Sequence, residues 1–300
     1  MIRIMDYLYK LFFLVLHKSR LAKLVPDKQF LKLLHRRLFN ENLNLNNPKT
    51  FNEKLNWLKL HDRNPEYTKM VDKCEVKKFV ADIIGEEYII PNIGIWDKFE
   101  DIDFDSLPNQ FVLKCNHDSG GIIICKNKSL FDYKASKVLI NKSLKKNYYY
   151  AGREWPYKNV KPKIIAEKFM VEENNTDLKD YKIYNFNGEP ALIQVDFDRF
   201  INHKRNFYSK DWDFIDMEIL YSNSPEKIIH KPHRLNEMLK LSKKLAKNIT
   251  FCRIDFYSIK NKIYFGEITF FPEGGFFKIS PKKFNSKLAN LIDLPDIKRI

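Results

Sequence analysis

Two runs in the last quarter of the chain hold residue types suited to metal-assisted phosphate chemistry. Arg253-Ile254-Asp255-Phe256-Tyr257 and Lys262-Ile263-Tyr264-Phe265-Gly266-Glu267-Ile268-Thr269 read as two strands. Along a strand, side chains point to alternate faces with period two. Arg253 and Asp255 then share a face, as do Glu267 and Thr269. Antiparallel pairing across Ser258–Asn261 brings Asp255 close to Glu267. Two such carboxylates beside a phosphate form a workable Mg²⁺ cage, because Mg²⁺ takes few carboxylates and completes its shell with phosphate oxygens and water. The plain alternative is a charged strand face on which Arg253 holds both acids. Asp and Glu are poor strand formers, and here they sit among Phe, Ile and Tyr, which favours the functional reading.

Three upstream segments add to this pair. Phe111-Val112-Leu113-Lys114-Cys115-Asn116-His117-Asp118-Ser119-Gly120-Gly121 reads as a strand ending in a lysine and a small polar turn. A Gly-Gly turn lets backbone N–H groups approach phosphate oxygens with no Cβ in the way. By itself it reads first as a plain hairpin tip, and without GxxxxGK[ST] it is not a P-loop. Lys163-Ile164-Ile165-Ala166-Glu167-Lys168-Phe169-Met170 by itself reads as any amphipathic strand, though a hinge of this kind can offer backbone groups to an adenine edge and apolar side chains to its face. Asp180 and Lys182 share a strand face ahead of Asn187-Gly188, a strong hairpin signal. There they form either a surface ion pair or a ribose and phosphate contact.

In this order the segments resemble the ATP-grasp superfamily and, within it, the TupA-like ATP-grasp group, over roughly residues 47–280. Phe51-Asn52-Glu53-Lys54, Leu107-Pro108-Asn109-Gln110, Arg153-Glu154-Trp155 and Asp180-Tyr181-Lys182 contribute to the likeness. The resemblance implies an α+β ATP-grasp fold, two α+β subdomains clasping ATP, and a ligase that uses ATP and Mg²⁺. Lys114, Asn116, Ser119, Gly120 and Gly121 would bind the phosphates. Glu167, Lys168, Phe169 and Met170 would border the adenine, and Asp180 would take the ribose. Lys182 would bind phosphate and Arg253 would stabilise the transferring phosphoryl group. Asp255, Glu267 and Thr269 would hold the metal, Thr269 standing where many ATP-grasp enzymes have Asn. The group is associated with capsule, lipopolysaccharide and teichuronopeptide biosynthesis. That implies a carboxylate donor such as an amino acid and an amine-bearing sugar or glycan acceptor. Arg199, His203 and Arg205 are candidates to line the acceptor pocket.

The elements that must position these residues divide into an N-terminal basic helical region (1–48), a helical segment (49–106), a subdomain carrying the Gly-rich loop (107–170) and one carrying the metal strands (171–300). Thr50 and Glu53 form a capping box that opens a helix. Further helices are expected over Asp72–Ile84, Tyr133–Leu144 and Leu235–Lys247. Strands are expected at Tyr88–Pro91, Phe111–Cys115, Gly121–Cys125, Ile164–Met170, Tyr181–Phe186, Ala191–Phe197, Cys252–Tyr257 and Lys262–Thr269, antiparallel in the second half.

Composition narrows the remaining classes. The chain has 300 residues, 44% hydrophobic and 30% charged, which describes a globular protein with a sizeable core. The net charge of +15 comes from lysines spread along the whole chain, without a compact basic block, so nucleic acid is not an expected partner. Cys74, Cys115, Cys125 and Cys252 show no CxxC spacing and read as buried thiols of a reducing cytoplasm. Tyr7, Leu8, Leu11, Phe12, Val15 and Leu16 fall on one helical side flanked by Lys10, Lys18, Arg20 and Lys23, which allows contact of residues 1–40 with the inner membrane face. The apolar run is too short for the ~20 residues of a membrane span, and no cleavage site follows it. Two rivals stay open. A glycosyltransferase would use a metal motif such as Asp101-Ile102-Asp103 or Asp103-Phe104-Asp105, although Glu100–Ser106 reads as an acidic surface loop. A membrane-surface scaffold would leave Arg253, Asp255 and Glu267 without a purpose.

Overall fold

Strand alternation and tight turns build two antiparallel sheets in the computed structural model, which describes residues 20–170, 180–198 and 202–296. The first sheet contains β1 (Asn92–Trp96), β2 (Phe111–Cys115), β3 (Ile122–Cys125) and β4 (Ile164–Lys168), in the order β1-β4-β2-β3. Its edge strand thus comes from upstream of the Gly-rich segment. Along the chain follow β5 (Asp180–Phe186), β6 (Glu189–Phe197), β7 (Lys204–Ser209), β8 (Phe214–Ile215), β9 (Glu218–Ile219), β10 (Phe251–Ile259), β11 (Lys262–Thr269) and β12 (Ile279–Ser280). The second sheet has six strands in the order β11-β10-β5-β6-β7-β8, and β12 pairs with β9 alone.

Turn chemistry sets the registers. Asn187 (φ 50°) and Gly188 (φ 82°) close β5 onto β6, with Phe186 opposite Glu189. Lys260 (φ 50°) and Asn261 (φ 59°) close β10 onto β11. Both are two-residue turns with positive φ at each position, the twist that matches paired strands.

The helices are α1 (Asp27–Phe39), α2 (Phe51–His61), α3 (Glu66–Val71), α4 (Glu75–Ile84), α5 (Tyr133–Leu144), α6 (Tyr149–Gly152), α7 (Leu235–Leu245) and α8 (Lys283–Asn290). The capping box at the start of α2 is formed: the Thr50 hydroxyl accepts from the Glu53 N–H at 3.3 Å, and the Glu53 carboxylate accepts from the Thr50 N–H at 2.9 Å. Phe51, Leu55 and Leu58 on α2 join the core beneath the second sheet, with Ile183, Ile193, Phe207, Ile254 and Phe256. A separate cluster of Phe111, Leu113, Ile140, Ile164 and Ala166 fills the space between the first sheet and α5. On α1, Phe30, Leu31 and Leu34 are buried while Leu38 is 44% exposed. The apolar set Tyr7 to Leu16 lies outside the described residues, and no helix among the described residues is long and apolar enough to cross a membrane.

Several boundaries differ from expectation, each for a local reason. Residues 86–88 make a short 3-10 turn, and the strand expected at Tyr88–Pro91 begins at Asn92 instead. Pro91 has no N–H to give the ladder. The helix expected from Asp72 begins at Glu75, because the Asp72 carboxylate accepts from the Cys74 N–H at 2.8 Å and holds a turn there. The strand expected to run to Met170 ends at Lys168, and the helix expected to reach Lys247 ends at Leu245.

Candidate active site

The 2.6 Å ion pair between Lys114 and Glu167 follows from register: β2 and β4 are neighbours, so Lys114 and Glu167 emerge on one face of the first sheet. The other Glu167 oxygen lies 2.6 Å from Lys77, which reaches in from the first turn of α4 and also donates to the Ile90 carbonyl at 2.7 Å. Burial alone would raise the Glu167 carboxyl, but the two ammonium groups outweigh it and hold the carboxyl below its usual range. Burial lowers Lys77, with Lys114 beside it, against the pull of Glu167. Ile95, Ile122 and Ile124 pair in register with Ile165, Lys114 and Val112, so they share this face. They are 42%, 50% and 46% exposed. The face therefore offers an uncovered apolar surface next to two cations.

The Gly-rich loop divides into a brace and a tip. Asn116 is fully buried and spent on the protein. Its amide donates to Asp72 at 2.9 Å and to the Lys161 carbonyl at 3.0 Å, and its oxygen accepts from the Lys163 N–H at 2.7 Å. His117 is buried, with Nε2 3.1 Å from the Lys146 carbonyl, and burial lowers its pKa. Asp118 is held by the Ser143 hydroxyl, and its backbone carbonyl accepts from Lys73 at 2.7 Å. Gly121 is required by close approach, because a Cβ there would lie 2.3 Å from Ser143 Oγ. Ser119 and Gly120 are exposed at the tip, Gly120 at φ 103°. Lys168 is exposed, and Phe169 and Met170 are half-buried.

The second sheet brings together the other named residues. Asp255 stands opposite Glu267 on one side and Lys182 on the other, and Arg253 stands opposite Thr269. A bulge between Asp255 and Phe256 places Gly266 where a Cβ would meet the Asp255 carbonyl at 3.0 Å. Lys182 bridges Asp180 at 2.6 Å and Asp255 at 2.5 Å. Arg253 grips Asp255 with two bonds of 2.7 and 2.8 Å, and reaches Glu267 at 3.0 Å and Thr269 at 3.2 Å. Burial would lower Lys182, but Asp180 and Asp255 raise it, so it stays charged. Burial raises Asp255 against Arg253 and Lys182. Glu267 is half-exposed, and Arg253, Lys182 and Lys73 overcome its desolvation and hold it at about 2. Burial lowers the Lys73 pKa, with Glu267 pulling the other way and Lys114 adding to the fall.

Oxygen donors from Asp255, Glu267 and Thr269 suit a hard cation. Among the described residues no three His, Cys, Asp or Glu side chains converge as a complete metal shell, so Mg²⁺ here would rely on phosphate oxygens and water for the remainder. Deeper along the same sheet the Tyr184 hydroxyl donates to Gln194 at 2.6 Å, Gln194 donates to Asp196 at 3.1 Å, and Arg205 donates to Asp196 at 2.7 Å. His203 lies 3.6 Å from Asp196 and stacks on Tyr221. Arg199 falls outside the described residues. Asp101, Asp103 and Asp105 are exposed, and Asp103 accepts from the Asp105 N–H at 3.1 Å, a turn contact.

Sequence reading missed Lys73, Lys77 and Lys59. The first two resemble solvated lysines of an amphipathic helix. Lys59 is fully buried on α2 and donates to Gly152 and Gly274 carbonyls at 2.8 and 2.5 Å and to Asn56 at 3.1 Å. Asn52 and Asn56 hold the Phe277 and Gly275 carbonyls at 2.7 and 2.9 Å. The spacing 52, 56, 59 is one helical face, which is the signal that could have flagged this clamp.

A sequence model of the family described as TupA-like ATPgrasp matches residues 53–293. Solved structures similar to the chain include D-alanine–D-alanine ligase from Bacillus anthracis complexed with ATP, at 18% identity and TM-score 0.41, covering 74% of this chain and 63% of that one. D-alanine–D-alanine ligase from Helicobacter pylori matches at 15% identity and TM-score 0.42, over 82% of this chain and 70% of that one. The ATP-grasp ligase PsnB, complexed with a phosphomimetic variant of its minimal precursor, Mg and ADP, matches at 8% identity and TM-score 0.39, over 69% and 52%. The chain thus spans less than two thirds of the length of the Bacillus anthracis ligase. No curated protein matches it.

Proposed function

The chain belongs to the TupA-like ATP-grasp family, and from that premise we propose that it is an ATP- and Mg²⁺-dependent carboxylate–amine ligase acting through an acylphosphate. The observation that carries this reading is the cross-strand pair Asp255 and Glu267, flanked by Arg253 and Lys182. A triphosphate between the sheets would place its charge among Lys73, Lys77, Lys114, Lys182 and Arg253. Its base would cover the apolar face of the first sheet beside Phe169 and Met170, and Asp180 would meet the ribose. When bound, Mg²⁺ would neutralise phosphate oxygens at Asp255, Glu267 and Thr269. The chain's own work is to position and to balance charge, which is most of what phosphoryl transfer asks of a protein. Arg253, fixed on two carboxylates, would present its guanidinium to the phosphoryl group as that group passes to the substrate carboxylate.

We assign the carboxylate to an amino-acid-like donor and the amine to a surface-glycan precursor, on the family likeness alone. Incubation with Mg-ATP, an amino-acid pool and amino-sugar acceptors should release ADP and phosphate. Release of UDP from a sugar nucleotide would support the glycosyltransferase instead. That rival lacks support from geometry, since its Asp-x-Asp motif lies on an exposed turn.

A further inference from the structure

Asp118 is the last anchored residue before the exposed tip of the Gly-rich loop. The loop closes where the Cys115 N–H donates to the Gly121 carbonyl at 3.3 Å. Inside it Asn116 is tied to Asp72 and to residues 161 and 163, and its carbonyl accepts from the Lys73 N–H at 3.2 Å. Asp118 is 4% exposed and is held at both ends. Ser143, in the last turn of α5, donates to its carboxylate, and the Lys73 ammonium donates to its carbonyl at 2.7 Å. Ser143 is buried against Gly121, on a face of α5 that it shares with Ser136 and Ile140. The other Asp118 oxygen receives no hydrogen bond from any described group, so the carboxylate depends on Ser143 for its orientation.

This double hold fixes a direction. The peptide joining Asp118 to Ser119 is planar and trans, so its N–H points opposite to its carbonyl. Lys73 pins the carbonyl, which aims the Ser119 N–H away from Lys73 and out of the anchored root. Beyond this peptide the protein supplies no further hold. Ser119 and Gly120 are exposed, their N–H groups donate to no described residue, and a Cβ on Gly120 would meet nothing within 4 Å. The aim of the tip is therefore set at Asp118. A negative charge under a phosphate-binding turn opposes the ligand, so what this carboxylate contributes is position. A metal ligand is disfavoured, because among the described residues no group of three acids, histidines or cysteines converges.

We propose that Asp118 is a positioning residue: clamped between Ser143 and Lys73, it aims the Ser119 N–H, the first donor of the loop tip, at a phosphate of the nucleotide. The assignment rests on the nucleotide reading of the site and deepens it, by naming the buried pair outside the phosphate contacts on which the loop's geometry depends.

The test is calorimetric titration with Mg-ADP and with adenosine, which lacks the phosphates that the tip would meet. Asp118→Ala and Ser143→Ala should each weaken Mg-ADP about tenfold, the loss of one aimed hydrogen bond to a charged group, and leave adenosine unchanged. The double variant should lose no more than either single one, since both break the same hold. Asp118→Asn keeps an oxygen for Ser143 and should recover most of the lost affinity. Weakening of both ligands in proportion marks a merely loosened fold and would overturn the assignment. So would additive losses in the double variant, Asp118→Asn as weak as Asp118→Ala, or tighter Mg-ADP binding by Asp118→Ala, the result if the carboxylate only repels phosphate. Wild type that binds neither ligand refutes the nucleotide reading and this assignment together. Wild type that binds Mg-ADP through Asp118 but never releases ADP from Mg-ATP refutes the ligase reading and leaves this assignment standing.

Discussion

Lys77 and Lys114 meet on opposite oxygens of one carboxylate, that of Glu167, each at 2.6 Å. One lysine comes from a helix and the other from a strand, so Glu167 fixes the distance between two cations that would otherwise repel. Replacing Glu167 by Gln should destabilise the free protein by about 3 kcal/mol, the usual cost of breaking a buried pair. Phosphate oxygens would supply the missing negative charge. The thermal shift on adding Mg-ATP should therefore be larger in Glu167→Gln than in wild type. A shift equal to or smaller than wild type's would mean that the nucleotide does not reach these lysines.

The same carboxylate sets part of the acid limb of stability. Glu167 and Glu267 are both held below the ordinary value of 4.5 in the folded protein. Below 4.5 the unfolded chain takes up protons that the folded chain refuses, so stability falls with pH from there, for Glu267 down to about 2. Urea midpoints measured between pH 6 and pH 3 should drop steeply in wild type and less steeply in Glu167→Gln.

How much of this was legible in the sequence depended on whether a residue's partner was local. Thr50 and Glu53 are three apart, and their capping box formed as read. Asn187-Gly188 fixed its hairpin, and the pairing of two adjacent strands put Arg253 opposite Thr269 and Asp255 opposite Glu267. Lys77 and Glu167 are ninety positions apart, and nothing in the α4 sequence points to β4. β7 was missed because His203-Lys204-Arg205-Asn206 looks like a polar loop. The strand is buried only because Arg205 finds Asp196 and Asn206 finds the Ser224 carbonyl at 3.0 Å. Asn116 reads as a phosphate contact from its place in a Gly-rich turn, whereas its amide is occupied by Asp72 and residues 161 and 163.

The second-sheet acids give a sharper functional expectation. Asp255→Asn and Glu267→Gln should each lower ADP release by at least about a thousandfold, in keeping with loss of a charge-stabilising group at a transferring phosphoryl. Arg253, Lys182 and Lys73 hold Glu267 ionised, so Glu267→Gln should melt somewhat below wild type. Asp255→Asn strips a buried partner from both Lys182 and Arg253 and should melt lower. Folded variants that retain turnover would remove these residues from the metal assignment.

Lys59 yields a prediction of opposite sign to the acid limb. Burial lowers its pKa from 10.5 to about 7, with Glu154 and Asp27 pulling the other way, and burial raises Glu154 from 4.5 to about 7. Between pH 4.5 and 7 the folded protein keeps a proton on Glu154 that the unfolded chain has released, so this group makes stability fall as pH rises. Between pH 7 and 10.5 the unfolded chain keeps a proton that folded Lys59 has released, so stability rises again. Their joint contribution has its minimum near pH 7. Lys59→Met should remove the alkaline rise and Glu154→Gln the acidic fall, each visible in denaturant midpoints taken across pH 5 to 10. Lys59→Met should also lower stability overall by about 3 kcal/mol, because the Gly152 and Gly274 carbonyls would be left buried without a donor. Since the Gly274 carbonyl belongs to the turn at Pro272–Gly275, the same variant should loosen that turn, measurable as faster amide hydrogen exchange from Gly274 to Phe277.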